Sequence, residues 1–164
     1  MERLNKDLME RLIKLNLKIT QEIDSTKKIS VITTAIKKII KAQKCYIFVH
    51  DKNSKSFWSV YSDGVSYIEI PDSKGILSQS YNTRKTIINN SIDLDRNLLE
   101  SIDLEYKIKS IISMPVFGFD DECIGVVQLL NKDGDGGFNE VDKKVLLFLV
   151  KHFTTFIQLI VQEN

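Results

Sequence analysis

The sequence predicts an α+β domain: an antiparallel sheet of about six strands, with the N- and C-terminal helices packed on one face. Three observations carry this. Two strongly apolar, β-branched runs, residues 111–117 and 123–130, flank Gly118 and the acidic turn Phe119-Asp120-Asp121-Glu122, which is the pattern of a central hairpin. Segments of helical period precede the first strand and follow the last. With 43% hydrophobic and 27% charged residues in 164, the chain has the composition of one folded core, while 7 Gly and 2 Pro are too few for a loop-rich β-sandwich.

Residues 2–24 read as a helix. Leu8, Leu12, Leu15 and Ile19 recur at spacings of four, three and four, a narrow seam that fits one partner helix, either the C-terminal helix or the same helix of a second subunit. Asp24, Ser25 and Thr26 break the pattern and offer N-cap residues. Residues 27–43 form a second helix whose wider stripe, Ile29, Ile32, Ala35, Ile36, Ile39 and Ile40, suits a flat sheet. The division expected is a helical segment over 1–26, for dimerisation or linkage, and one domain over 27–164.

Strands are expected over 45–50, 57–61 and 65–70, the first of them central because its apolar run is nearly continuous. A short helix over 75–82 opens at Gly75, and an extended piece follows over 86–88. Residues 89–109 are polar and weakly periodic, with one candidate helix over 94–101; a long segment of this kind over a compact sheet is expected to cover a ligand. After the hairpin, Asp133 to Gly137 is a flexible loop. Residues 138–161 form the final helix, with Asn139 as its cap and Asp142 in its first turn.

Composition narrows the function. The formal charge is +1, but residues 1–44 hold 11 Lys+Arg against 5 Asp+Glu and the remainder 12 against 17. That basic front reads as a solvated helix face, and neither nucleic acid nor membrane is an expected partner. The charged N-terminus lacks a signal-peptide core, and no uninterrupted apolar run reaches the ~18 residues of a span. Cys45 and Cys123 lie in strand-like runs, which suits buried thiols in a reducing cytoplasm. No metal or cofactor is expected. In the Asp133–Asp135 loop the twelfth position, where calcium needs a bidentate Glu, is Lys144. His50 and His152 have no Cys or carboxylate at ligand spacing. No nucleophile motif or phosphate-binding glycine loop is present, so the chain is not expected to be an enzyme. The start of the Gly75 helix offers free backbone N–H groups to an anion. The aromatics Tyr46, Phe48, Phe57, Trp58, Tyr61 and Tyr67 lack the interleaved basic residues of a nucleic-acid platform.

Several strings in this order resemble the GAF family of small-molecule-sensing domains, above all those of cyclic-nucleotide phosphodiesterases and cyclases: Ile70-Pro71 with Gly75-Ile76, Thr83-Arg84-Lys85 with Ile87-Ile88-Asn89, Ser110 to Pro115, and Ile124 to Lys132. The resemblance runs from about residue 27 to 161. It implies a profilin-like sheet and a structural clasp at Asn131, Lys132, Phe138 and Asp142, with Lys143 where the family signature has Glu. It also implies a ligand pocket at Tyr46, Ile76, Leu77, Ser101, Leu104, Ile108 and Gln128. Leu104 and Ile108 stand where cyclic-nucleotide binders carry threonines, and neither can pair with a cyclic phosphate or base. Bilin-bearing relatives need a reactive cysteine near the pocket, whereas Cys45 and Cys123 are expected inside strands, and sulfoxide-reducing relatives need loop cysteines that this sequence lacks. The function implied is a non-catalytic sensor or regulatory module of a signalling protein, taking an unidentified small molecule, dimeric through its terminal helices and passing its state to an output domain outside these residues. Two alternatives stand beside it: a purely structural dimerisation domain without ligand, and a cAMP- or cGMP-binding domain.

Overall fold

A computed structural model describes residues 2–64, 67–73, 75–92 and 107–163. Within them the order is α1 (Glu2–Gln21), α2 (Ser25–Ile40), β1 (Ala42–Asp51), β2 (Ser56–Ser62), β3 (Glu69–Pro71), α3 (Gly75–Thr83), β4 (Ile87–Asn89), β5 (Ile111–Phe117), β6 (Cys123–Lys132) and α4 (Glu140–Glu163). The strands form one six-stranded sheet in the order β3-β2-β1-β6-β5-β4, every neighbouring pair antiparallel. The expected α+β architecture is present.

Strand alternation divides the core in two. Cys45 and Ile47 of β1, Ile112, Met114 and Val116 of β5, and Val127 and Leu129 of β6 point to one face, where α1, α2 and α4 cover them. Tyr46, Phe48, Phe57, Ile111, Val126 and Leu130 point to the other, where α3 supplies Ile76 and Leu77. The α1 seam turns inward: Leu12 and Ile19 are buried in the first cluster, and Leu8 and Leu15 pack against it. Helix α4 has the length and mean hydropathy of a membrane-crossing helix. Leu146, Leu149, Val150, Phe153, Ile157 and Ile160 account for much of that apolarity, and they are in the core.

Some boundaries differ from the sequence reading, each for a local reason. Helix α2 starts at Ser25 because Asp24 caps it, its side chain accepting from Lys27 N at 3.1 Å. It stops at Ile40 because Lys41 turns left-handed, φ 62, and sends its N–H back to Lys37 O. Residues 42 and 43, expected as helix, therefore begin β1. Among the described residues of the strand expected over 65–70, β3 covers only Glu69–Pro71 and residues 67–68 precede it as loop. Next to it, Ser59 Oγ accepts from Ile68 N at 2.9 Å, and a side chain so replaces a ladder carbonyl. Residues 65–66 and the helix expected over 94–101 lie outside the described residues.

At Gly125 the backbone of β6 lies close against that of β1. A Cβ there would sit 2.1 Å from the Phe48 carbonyl oxygen, so only glycine fits.

Candidate functional site

The pocket residues expected from sequence fall on the α3 side of the sheet. Register places Tyr46 opposite Gln128, Gln128 opposite Ser113, and Ser113 opposite Ile87, one row across four strands. Tyr46, Ile76, Leu77 and Gln128 are buried and Ile108 is partly buried at the edge of the same cluster. Ser101 and Leu104 lie outside the described residues, as does most of the segment expected to cover the ligand. The Tyr46 hydroxyl donates to the Asp63 carbonyl at 3.4 Å.

The polar groups of this face are unevenly satisfied. Gln128 is 1% exposed. Its Nε2 donates to Ser113 Oγ at 3.3 Å, and its Oε1 has no hydrogen-bond partner among the described residues. Turning the carboxamide over would exchange the two atoms and leave the other one unpaired. Ser113 belongs to the same row and was missed in the sequence, where it is a lone serine in an apolar run. Its carbonyl accepts from Ser80 Oγ at 3.1 Å, which fastens α3 to β5.

His50 follows Tyr46 and Phe48 on the same face of β1. Its Nε2 lies 2.8 Å from Asp72 Oδ2, and its ring packs against Phe57 and Tyr81 at centroid distances of 4.9 and 4.6 Å. Its buried Nδ1 has no partner among the described residues. The carboxylate was not visible at ligand spacing because it is 22 positions away and arrives through the fold. Asp72 also precedes α3, and its carbonyl accepts from Ser78 Oγ of that helix. His152, by contrast, is a packing residue between α1 and α4: its Nε2 is 3.0 Å from Asn16 Oδ1 and its ring stands edge-on to Phe153.

The residues expected as a clasp form two separate fastenings. Lys132 Nζ pairs with Asp142 Oδ1 at 2.7 Å and also donates to the carbonyl of Ile40, so one ammonium joins β6, the end of α2 and the start of α4. Asp142 Oδ2 accepts from Asn139 N and Asn139 Oδ1 accepts from Asp142 N, both at 3.0 Å, a reciprocal cap on α4. Asn131 works elsewhere. Its Oδ1 accepts from Lys109 N at 2.6 Å and Ser110 N at 3.2 Å, while its Nδ2 donates to Lys107 O at 2.8 Å. It holds residues 107–110 as they enter β5. Asn90, which sequence reasoning passed over, holds the Phe138 backbone by Nδ2 to O at 2.8 Å and N to Oδ1 at 2.9 Å.

Neither thiol is placed for chemistry. Burial pushes the Cys45 thiol far up, and the nearby Asp63 charge adds to it; burial also raises Cys123. A thiolate is the reactive form, so native protein at pH 8 is expected to leave both cysteines unlabelled by an aromatic disulfide reagent on a timescale that labels both after unfolding. Rapid native labelling of Cys45 would contradict its burial. Among the described residues, no three His, Cys, Asp or Glu side chains are grouped to hold a metal.

Comparison with known proteins adds three findings. The model of the GAF domain family matches residues 29–158. The dual 3',5'-cyclic-AMP and -GMP phosphodiesterase 11A of Takifugu rubripes is 28% identical over 144 residues, covering 78% of this chain and 16% of that enzyme. Among solved structures, the GAF domain of an Acinetobacter phosphoenolpyruvate-protein phosphotransferase superposes with a TM-score of 0.75 at 16% identity, covering 92% of each chain. The free methionine-R-sulfoxide reductase of Neisseria meningitidis, in complex with its substrate, gives 0.73 at 19% identity over 93% of this chain and 89% of its own. At these identities the structural likeness is one of fold.

Proposed function

Because the chain belongs to the GAF domain family, we propose that it is a non-catalytic sensory module of a signalling protein, which takes a small molecule between the sheet and α3. The observation that carries this reading is the distribution of unsatisfied polar atoms. Gln128 Oε1 and His50 Nδ1 are both buried and have no partner among the described residues, and both lie on the α3 face of the sheet. A buried acceptor left without a donor costs ~1–3 kcal/mol. A ligand donor at Gln128 would recover that cost on binding.

The chain matches only a sixth or so of the phosphodiesterase's length, so the relative's activity does not carry over with the match. Cyclic-nucleotide binding stays an alternative within the same pocket. The ligand-free structural reading draws on the burial of Tyr46 and Leu77, which fill part of the volume a ligand needs. A thermal-shift screen against cAMP, cGMP, other nucleotides and common metabolites separates the three. The sensor reading expects at least one compound to raise Tm; cAMP or cGMP alone doing so favours the second alternative; silence from the whole panel sinks ligand sensing.

The proposal includes a homodimer through the terminal helices, which would carry a ligand-induced shift to an output domain. Met9, Ile13 and Leu17 recur every four residues on α1 and stay exposed, as do Phe148 and Leu159 on α4. The Asn16–His152 contact holds the two helices together as one surface. Removing residues 1–24 is expected to turn a sedimenting dimer into a monomer. An unchanged dimer would take α1 out of the interface.

A further inference from the structure

We propose that the groove between α1 and α2 is a docking site for an acidic amphipathic helix of a partner protein. The groove is a hollow of about 600 Å³. Its floor is apolar: Leu15 from α1 and Val31, Ala35 and Ile39 from α2. Its rims are cationic, with Arg11 and Lys18 on the α1 side and Lys38 on the α2 side, and no carboxylate lines it among the described residues.

Helix α2 is more apolar than its place on the sheet requires. Ile29, Ile32, Ile36 and Ile40 are buried in the core and already satisfy the sheet. Val31, Ala35 and Ile39 form a second stripe at spacings of four, beside the first, and Val31 and Ile39 remain only partly buried. That stripe and Leu15 meet in the groove. A helix laid there buries leucines at i, i+4 and i+7 against the floor, with its flanking positions facing cations on both sides.

The charge selects the occupant. A second copy of α1 or α2 is a poor fit, because α2 carries Lys27, Lys28, Lys37 and Lys38 with no acidic residue, and α1 carries five basic residues against three acidic. A membrane is flat and would not reach the floor of a groove between two helices. Arg11 pairs with Asp7 at 3.0 Å, but both side chains are more than half exposed, so the pair is weak and can exchange. Thr34 and Lys38 also border a second hollow at the end of α2, where Lys41 adds a cation but Lys37 is paired with Asp63 at 2.6 Å and Asp133 contributes a carboxylate, so the charge that selects the occupant is that of Arg11, Lys18 and Lys38.

The test is a charge swap on the full chain. A fluorescent peptide with leucines at i, i+4 and i+7 and glutamates on both flanks is titrated by anisotropy, beside the same peptide with lysines in place of the glutamates. The expected result is that the acidic peptide binds and the basic one does not. Lys18→Glu with Lys38→Glu weakens the acidic peptide about tenfold or more and admits the basic one. Both positions are exposed, and an unchanged unfolding midpoint shows that the variant still folds. Equal binding of the two peptides, or indifference to the swap, overturns the proposal. So does binding only to phosphatidylserine vesicles, or loss of self-association by the variant in sedimentation; these would make the surface a membrane contact or a contact between copies.

Discussion

Gly125→Ala is expected to destabilise the protein by about 3–5 kcal/mol, which at this chain length lowers Tm by about 6–20 °C. The reason is local and backbone-deep. The added methyl would lie 2.1 Å from Phe48 O, 3.2 Å from Phe48 C and 3.4 Å from Val49 Cα. None of these is the far end of a flexible side chain, so relief requires β1 and β6 to part. These are the two central strands, and their separation loosens both clusters at once, including the row from Tyr46 to Gln128. Urea unfolding checks the prediction. A loss under ~1 kcal/mol would mean that the strands yield at that point.

Lys132→Met is expected to cost about 3–5 kcal/mol, the range for leaving one partner of a buried ion pair alone. Side-chain exposures of 18% for Lys132 and 10% for Asp142 place the pair within reach of that range. The substitution strands the Asp142 carboxylate and removes the donor to the Ile40 carbonyl, so α2 and α4 lose their common tie to β6. Adding Asp142→Asn to Lys132→Met should recover part of the loss, because no unpaired charge then remains. A double-mutant cycle by denaturant unfolding reads the coupling, and strict additivity of the two losses would contradict a direct ion pair.

Much of this architecture can be read from periodicity. The central hairpin shows as two β-branched runs around a glycine, and the two-residue period of a strand assigns Gln128 to the face opposite Val127 and Leu129. The α4 cap shows because Asn139 and Asp142 are three residues apart, the reach of a reciprocal cap. What stays hidden has no local signal. His50 and Asp72 are brought together by the path through β2 and β3. Asn90 and Asn131 each bind backbone more than twenty positions away, and a lone asparagine in sequence gives no hint of its partner. Ser113 acquires its role only from the β5–β6 register. The short β3 reflects Ser59 supplying a side-chain acceptor, which propensity does not register. The α1 seam left its partner open, and burial resolves that in favour of the domain's own helices.

The sensor reading turns most directly on Gln128. In Gln128→Leu the carboxamide, whose Oε1 has no partner among the described residues, is replaced by an apolar side chain beside an apolar cluster. The ligand-free variant loses one unpaired buried acceptor but also the donor to Ser113 Oγ, so its Tm should stay near that of the wild type. Any compound that raises the wild-type Tm should leave the variant unmoved. Equal ligand-induced shifts in both proteins would place the binding site elsewhere and contradict the account.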